Sequence, residues 1–256
     1  ETSMIKKNVL MLLLTIVLLF IISSSVAAEP AFPVPSIDLN IKAAETPKEV
    51  ALSLQVLFIL TILSLAPALL IMVTSFTRII IVLSFTRSAV GTQQMPPNQA
   101  LIGLALFLTF FIMSPVIAEV NETAIQPYMK QEIEQEVAIK RVLEPVRRFM
   151  FKYTREKDLA LFLKLGQVEN TLKLDDIPTT SLIPAFIISE MKTAFEMGFF
   201  LYIPFLIIDM VVASTLMSMG MMMLPPVMIS LPFKILLFVM VDGWNLIIKS
   251  LLLGFK

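Results

Sequence analysis

The sequence contains no cysteine and no histidine. Without cysteine there are no disulfide bonds or thiolate nucleophiles, and without histidine there are no histidine-containing catalytic triads and few transition-metal sites. Charged residues are also scarce, at 16%, and the 20 basic side chains balance the 20 acidic ones. A neutral chain has no bulk electrostatic attraction for nucleic acid. We therefore expect a protein that is not an enzyme and has no metal, no cofactor and no nucleic-acid partner.

Apolar side chains are abundant instead. They make up 57% of the 256 residues, and the mean hydropathy is +0.87. This is far more apolar than an ordinary soluble domain. Because helices satisfy their own backbone hydrogen bonds in a bilayer, the long apolar segments predict an all-α membrane protein.

The first 48 residues predict export and processing. Residues 1–3 precede Met4, and we interpret them as a remnant foreign to the natural chain. Residues 4–28 combine a basic start, a short apolar run and small residues at the end, which predicts a cleavable signal peptide. An uncleaved first transmembrane helix is the alternative, but the apolar run is shorter than the roughly 20 residues that span a bilayer. Residues 29–48 are rich in proline and favour an extended periplasmic leader.

Residues 49–118 predict a first helical hairpin. Its arms are the apolar segments 50–73 and 101–118, each long enough to be a candidate span. Arg78 and Arg87 lie between the arms. We expect both arginines to face the cytoplasm, because basic residues are enriched in cytoplasmic loops.

Residues 119–181 form a polar insert with many charges of both signs. We predict an amphipathic helix from Pro127, in which Glu136 pairs with Lys140, and a second short helix from Pro145. The basic residues would favour the cytoplasm, but long domains cross the membrane largely regardless of charge. We therefore predict a small helical periplasmic domain.

Residues 182–256 predict a second helical hairpin whose apolar segments carry charges. Each charge costs roughly 2.5 to 3.5 kcal/mol at the centre of a lipid-facing helix, so we expect these side chains to face protein or water. Lys192 and Glu196 are four residues apart and can pair, whereas Glu190 needs a partner elsewhere. Ion pairs that hold an assembly together are the favoured interpretation, and a proton relay is the other. The charged residues are Glu190, Lys192, Glu196, Asp209, Lys234 and Asp242.

The segment 216–226 contains five methionines, including Met221, Met222 and Met223. Gly220 permits a backbone turn, and Pro225 and Pro226 cannot continue a helix. The pattern predicts a methionine-rich loop or broken helix at membrane depth, where irregular backbone survives only if protein buries it or it lines a cavity. The other interpretation is that these methionines fill gaps in a helix core.

Several short motifs follow one another in the second hairpin. They are Pro184-Ala185-Phe186, Ser189-Glu190, Ala194-Phe195-Glu196-Met197-Gly198-Phe199, Gly220-Met221-Met222-Met223 with Pro225-Pro226, Leu231-Pro232-Phe233-Lys234 and Val241-Asp242-Gly243-Trp244. With these motifs, and with the order of hairpin, insert and hairpin, the mature chain resembles the FliP family of flagellar type III export-gate proteins. The predicted signal peptide favours the flagellar branch over the injectisome relatives.

The resemblance implies a core subunit of the flagellar type III protein export gate, in the bacterial inner membrane and the flagellar basal body. Five copies would form a ring that joins FliQ and FliR in a helical assembly, works with FlhA and FlhB, and needs FliO for assembly. Unfolded flagellar subunits would pass through the centre. The resemblance gives Met221, Met222 and Met223 the role of a gasket around the closed pore, in a loop shaped by Gly220, Pro225 and Pro226.

Two other functions remain open at this stage. A proton-coupled secondary transporter would use the intramembrane carboxylates, with its substrate site at the broken helix near Gly220. An intramembrane hydrolase would use Asp209 and Asp242, but no accompanying motif supports it.

Overall fold

The computed structural model describes residues 47–92, 94–168, 174–221 and 223–255, and within these ranges it contains helices and turns but no β-strand. The described residues divide into two units, with the boundary between residues 55 and 56. The predicted remnant 1–3, the signal peptide 4–28 and almost all of the leader 29–48 lie outside the described residues.

The α-helices of the described ranges lie mostly where apolar or amphipathic stretches occur in the sequence. They are α1 (Pro47–Val73), α2 (Phe76–Val90), α3 (Asn98–Val120), α4 (Gln126–Met129), α5 (Gln135–Tyr153), α6 (Glu156–Leu165), α7 (Thr179–Ser218), α8 (Pro226–Met240) and α9 (Gly243–Leu253). A π-helical turn, Asn121–Ile125, joins α3 to α4, and a 3-10 turn, Leu174–Asp176, precedes α7.

Two of these helical runs are long and apolar enough to cross a membrane, Asn98–Met129 and Thr179–Ser218. Two bent pairs also qualify if each counts as one span. One is α1, which bends by 46° at residue 66, and the other joins α8 and α9 at an angle of 62°. The described part of the chain is thus all-helical, as predicted, and the length and composition of these helices make them candidate membrane spans.

Helix α2 lies between the two arms predicted for the first hairpin. Ile79, Val82 and Leu83 are fully buried on it, and they recur at the three- and four-residue spacing of one helical face. That face packs against α3 and α7. Arg78 also lies on α2 and is only 4% exposed. Its side chain is enclosed by neighbouring helices and is not exposed to solvent as expected for an arginine in a cytoplasmic connection, whereas the side of the membrane on which it lies stays a prediction.

The helix predicted to run from Pro127 is interrupted. Helix α4 ends at Met129, and Gln131 adopts a left-handed φ of 58°, after which α5 begins at Gln135. Pro145 does not start a second helix as predicted but lies inside α5. The predicted pair of Glu136 and Lys140 is confirmed, with 2.8 Å between Oε1 and Nζ.

The last apolar segment is broken into two helices. Helix α8 begins at Pro226, continues through Pro232 and ends at Met240. Asp242 has a left-handed φ of 50° and precedes α9. This conformation does not continue a right-handed helix, so the chain bends here.

The second unit has one packed core, formed by side chains of α2, α3, α5, α7, α8 and α9. Phe186 of α7 is fully buried there and contacts the ring of Phe149 of α5 edge-on, at a centroid distance of 5.9 Å. Helices α2 and α7 approach closely at Gly198, where a β-carbon would lie 2.6 Å from Cγ of Phe85. The same pair of helices brings Glu190 of α7 against Arg78 of α2.

Candidate functional site

The methionine-rich segment forms the connection between α7 and α8. The amide of Gly220 donates to the carbonyl of Met217 at 3.0 Å, and the amide of Met221 donates to the carbonyl of Leu216 at 3.0 Å. With Gly220 at a φ of 74°, these two bonds form a Schellman motif, which satisfies the last carbonyls of α7. Pro225 is extended and Pro226 occupies the first turn of α8. The chain thus leaves α7 at the turn that contains Gly220 and enters α8 at Pro226.

The methionine side chains of this loop are turned away from the chain's own core. Met223 is 98% exposed and Met221 is 40% exposed, while Met222 lies outside the described residues. Met223 therefore fills no gap in the packing of this chain. Its thioether is free to contact another molecule.

Helices α7 and α8, which this loop connects, are also joined by an ion pair. Lys234 Nζ donates to Asp209 Oδ2 at 2.6 Å, and Ser230 Oγ donates to Asp209 Oδ1 at 2.5 Å. Nζ of Lys234 also lies 4.0 Å from the position of a β-carbon on Gly91, the residue that ends α2. The partial negative charge at the end of a helix favours a cation there. Lys234 is thus stabilised from two sides although its side chain is buried.

The partner of Glu190 is Arg78. Arg78 Nε donates to Glu190 Oε2 at 2.9 Å, and its NH2 group donates to Oε1, so the pair is bidentate. Glu190 is fully buried. The guanidinium also donates to the carbonyl of Gly254 at 3.0 Å and lies 3.9 Å from the ring centre of Phe255. The hydroxyl of Tyr153 donates to the carbonyl of Phe255 at 2.6 Å, which holds this end of the chain in place.

Sequence reasoning predicted that Glu190 needs a distant partner but did not identify Arg78. The signal in the sequence is that neither residue has an opposite charge three or four residues away on its own helix. That signal does not say which residues meet, because they are 112 positions apart.

Lys192 and Glu196 do not pair with each other as their spacing predicts. Lys192 binds Asp158 of α6, and Glu196 binds the guanidinium of Arg155, with 2.8 Å between Arg155 NH2 and Glu196 Oε2. Ser189 Oγ donates to Asp158 Oδ2 at 2.9 Å and accepts from the Arg155 amide at 3.0 Å. These contacts fasten the start of α6 to α7.

The electrostatics of this network favour the charged forms of Asp158 and Arg155. Burial alone raises the pKa of Asp158, but the hydrogen bonds from Lys192 and Ser189 outweigh burial, so this pKa lies below its ordinary value. The hydrogen bond to Glu196 raises the pKa of Arg155.

Asp242 stands apart from the other five charges. It is exposed, and its Oδ2 accepts a hydrogen bond from Nδ2 of Asn245 at 3.0 Å. The six predicted charged residues therefore do not form one cluster but occupy separate contacts along α7, α8 and the α8–α9 break. Within the described ranges, no group of three or more acidic side chains is arranged to hold a metal ion.

The region that carries these contacts matches one family model. The model is described as the FliP family, and it matches residues 59–251. The chain belongs to the FliP family. The match begins within α1 and ends within α9, so it includes the methionine loop and every ion pair described above.

Individual relatives agree with the family match. Flagellar biosynthetic protein FliP of Bacillus subtilis is 59% identical over 217 residues, which cover 85% of this chain and 98% of the relative. FliP of Pectobacterium carotovorum subsp. carotovorum is 57% identical over 204 residues, covering 80% and 79%. FliP of Aquifex aeolicus is 52% identical over 206 residues, covering 80% and 86%. The resemblance found in the motifs is confirmed, and the FliP family is a family of flagellar biosynthetic proteins rather than of known enzymes.

Proposed function

We propose that the chain is a core subunit of the flagellar type III export gate, the channel through which unfolded flagellar subunits cross the inner membrane. Membership of the FliP family supports a role in the flagellar export apparatus. It does not favour the proton-coupled transporter. The gate role requires no catalytic step, no cofactor and no metal.

The exposed methionine loop is the observation that carries this proposal. Met223 is almost fully exposed, the Schellman motif at Gly220 closes the end of α7, and the pair of Asp209 and Lys234 joins α7 to α8, the two helices that the loop connects. Deformable side chains presented between two joined helices suit a seal around many different polypeptides. Met221, Met222 and Met223 would form that seal.

One chain cannot surround a polypeptide, so the seal needs several copies. Heterologous contacts between copies generate rings or helices and bring one loop per subunit to a common axis. We propose a five-copy ring that joins FliQ and FliR, works with FlhA and FlhB, and uses FliO for assembly. In this ring the two helical hairpins flank the insert of residues 119–181, which forms the periplasmic domain.

Exposed surface on α7 supports such an assembly. Phe199 and Phe200 are 65% and 70% exposed, and Met210 is 62% exposed. Apolar surface of this kind is covered by lipid or by other protein. Three of the six charged residues, Lys192, Glu196 and Asp242, are exposed and are our candidates for inter-subunit contacts, although Lys192 and Glu196 also bind partners within the chain. Glu190, Asp209 and Lys234 are buried or half-buried and bind partners within the chain.

The oligomer is tested by native mass spectrometry of the detergent-purified chain, expressed alone and then with FliQ and FliR. We expect a homo-oligomeric ring from the chain alone and a larger complex of defined composition with the partners. A stable monomer or dimer that ignores both partners would contradict the proposal.

The seal is tested by replacing Met221, Met222 and Met223 together by alanine. The smaller side chains leave the constriction unfilled, so we expect assembled gates that conduct ions. A matched control replaces three exposed methionines outside the loop, Met129, Met191 and Met240, and should leave conductance unchanged. Equal ion conductance of wild type and the loop variant would contradict the gasket role, and the family assignment would stand.

A further inference from the structure

An apolar cavity of about 460 Å³ opens where the end of α2, the start of α3 and the α8–α9 bend meet. Its walls include Val90, Leu101, Leu104, Ile235 and Phe238. A cavity of this size with mostly apolar walls takes a largely apolar ligand. Helix α3 and the bent pair of α8 and α9 are candidate membrane spans, so the cavity lies along segments suited to contact with lipid.

Arg87 is the only charged side chain among the residues that line this cavity. Its NH1 group donates to Asn98 Oδ1 at 2.6 Å and to the carbonyl of Pro96 at 3.3 Å. Both acceptors are neutral. In the part of the chain that the structure describes, no carboxylate lies within ion-pair distance of Arg87, in contrast to Arg78 and Lys234.

The guanidinium of Arg87 therefore has no counter-ion among the described residues, and some of its N–H groups remain available to a ligand. Its Nε and NH2 groups donate to no atom of the described residues. A planar guanidinium with free N–H groups matches phosphate oxygens in a bidentate geometry.

Trp244 lines the same cavity and indicates the level of the lipid headgroups. Its ring meets Phe238 edge-on at a centroid distance of 5.4 Å, and the side chain is half-buried. Tryptophan is enriched at the membrane–water interface, where its ring contacts acyl chains and its N–H meets the headgroup region. A cation and a tryptophan at one apolar cavity together fit an amphipathic ligand with an anionic head.

We propose that this cavity binds one anionic phospholipid, with an acyl chain against Leu101, Leu104 and Phe238 and the phosphate at Arg87. The uncompensated charge decides between the possible occupants. An apolar protein segment would fill the walls but leave Arg87 without a counter-ion, whereas an anionic phospholipid satisfies both. Basic pockets between membrane helices bind anionic headgroups in this way. The proposal stands whether or not the chain is an export-gate subunit.

Because Trp244 is the only tryptophan of the chain, its fluorescence reports on this cavity alone. The full chain is reconstituted into phosphatidylcholine vesicles that contain increasing fractions of dibrominated phosphatidylglycerol or dibrominated phosphatidylcholine. Bromine on an acyl chain quenches tryptophan on contact. We expect the anionic lipid to associate about fivefold more strongly, the effect of one basic residue near anionic lipid.

Two variants separate the headgroup contact from general charge attraction. Arg87→Gln should remove the preference for phosphatidylglycerol. Lys249→Gln removes the same charge from an exposed position on α9 that does not line the cavity, and it should keep the preference. Ala100→Leu narrows the cavity while Arg87 remains, so it should reduce quenching by both lipids. Ala100→Leu also tests the proposal if Arg87→Gln fails to fold, as judged by circular dichroism.

Other results would overturn the proposal. Equal quenching by the two lipids in wild type would show only the general lipid annulus. Absence of quenching by either lipid would show that protein fills the cavity, from a second copy or a partner. An equal loss of preference in Arg87→Gln and Lys249→Gln would show a nonspecific effect of net charge, and unchanged quenching in Ala100→Leu would place the lipid elsewhere.

Discussion

Replacing Glu190 by leucine should destabilise the chain itself, before any question of assembly arises. The substitution leaves the Arg78 guanidinium charged and 4% exposed, with no carboxylate to bind. Removing one partner of a buried ion pair typically costs about 3–5 kcal/mol. Since Arg78 keeps its bond to Gly254 and its contact with Phe255, we expect a loss near the lower end, about 3 kcal/mol.

The measurement is thermal unfolding of the detergent-purified chain without partners, followed by the fluorescence of Trp244. A loss of 3–5 kcal/mol corresponds to a decrease in Tm of roughly 6–20 °C for a chain of this size. The matched control is Glu136→Leu, which breaks a pair whose side chains are 79% and 73% exposed. Exposed pairs four residues apart contribute only about 0.3–0.5 kcal/mol, so the control should change Tm by less than about 2 °C.

A double variant isolates the pair. Arg78→Met with Glu190→Leu replaces both charges by apolar side chains, which is often neutral or stabilising at buried sites. The double variant also loses the hydrogen bond to Gly254, which contributes about 1 kcal/mol, so it should lie within about 1–2 kcal/mol of wild type. Equal Tm values for Glu190→Leu and Glu136→Leu would refute the reasoning, as would a double variant no more stable than Glu190→Leu. If Glu190→Leu kept the Tm of wild type but lost the oligomer, Glu190 would act in contacts between subunits instead.

Three further predictions use the same unfolding measurement. Gly198→Ala should lower the free energy of unfolding by about 1–3 kcal/mol because the new methyl group overlaps Phe85. The control Gly103→Ala, where no atom lies within 4 Å of the new methyl group, should raise it by up to about 1 kcal/mol. Equal effects of the two substitutions would contradict the close contact at Gly198. Gly91→Ala should cost about 1–2 kcal/mol, since φ is 85° there, and an unchanged Tm would contradict this. Because the pKa of Asp158 is lowered in the folded chain, its stabilising effect is present above its unfolded value of about 3.9 and is lost as pH falls below that value. Asp158→Asn should lack this part of the acid dependence, and identical pH profiles would refute it.

The sequence predicts the long apolar helices and the break near Gly220 because both depend on local properties. Apolar composition over some 20 residues and the positions of glycine and proline are readable within a short window. Helix α2 was missed because its exposed face carries Arg87 and several hydroxyl side chains, which makes the segment resemble a polar connection. The structure shows that its other face is buried and mostly apolar, with Arg78 and Thr86 as the polar side chains on it.

The pairing of charges depends on contacts that no local rule describes. The spacing of Lys192 and Glu196 permits a pair on an isolated helix, where their separation is favourable. Helix α6 instead offers Asp158 and Arg155, which come from 34 and 41 positions earlier in the chain. Pro145 was misassigned for a related reason, because proline is common in the first turn of a helix but is also tolerated within one that bends.

Arg78 contacts residues 254 and 255, which are translated long after Arg78 itself. Helices α2, α5 and α7 all leave the ribosome before these residues, yet Arg78 is covered only when Gly254 and Phe255 lie over it. Before residues 254 and 255 are translated, the guanidinium lacks the carbonyl acceptor of Gly254 and the contact with the ring of Phe255. The ion pair of Arg78 and Glu190 therefore reaches its final surroundings only after residues 254 and 255 have been translated, later than the helices that carry the pair.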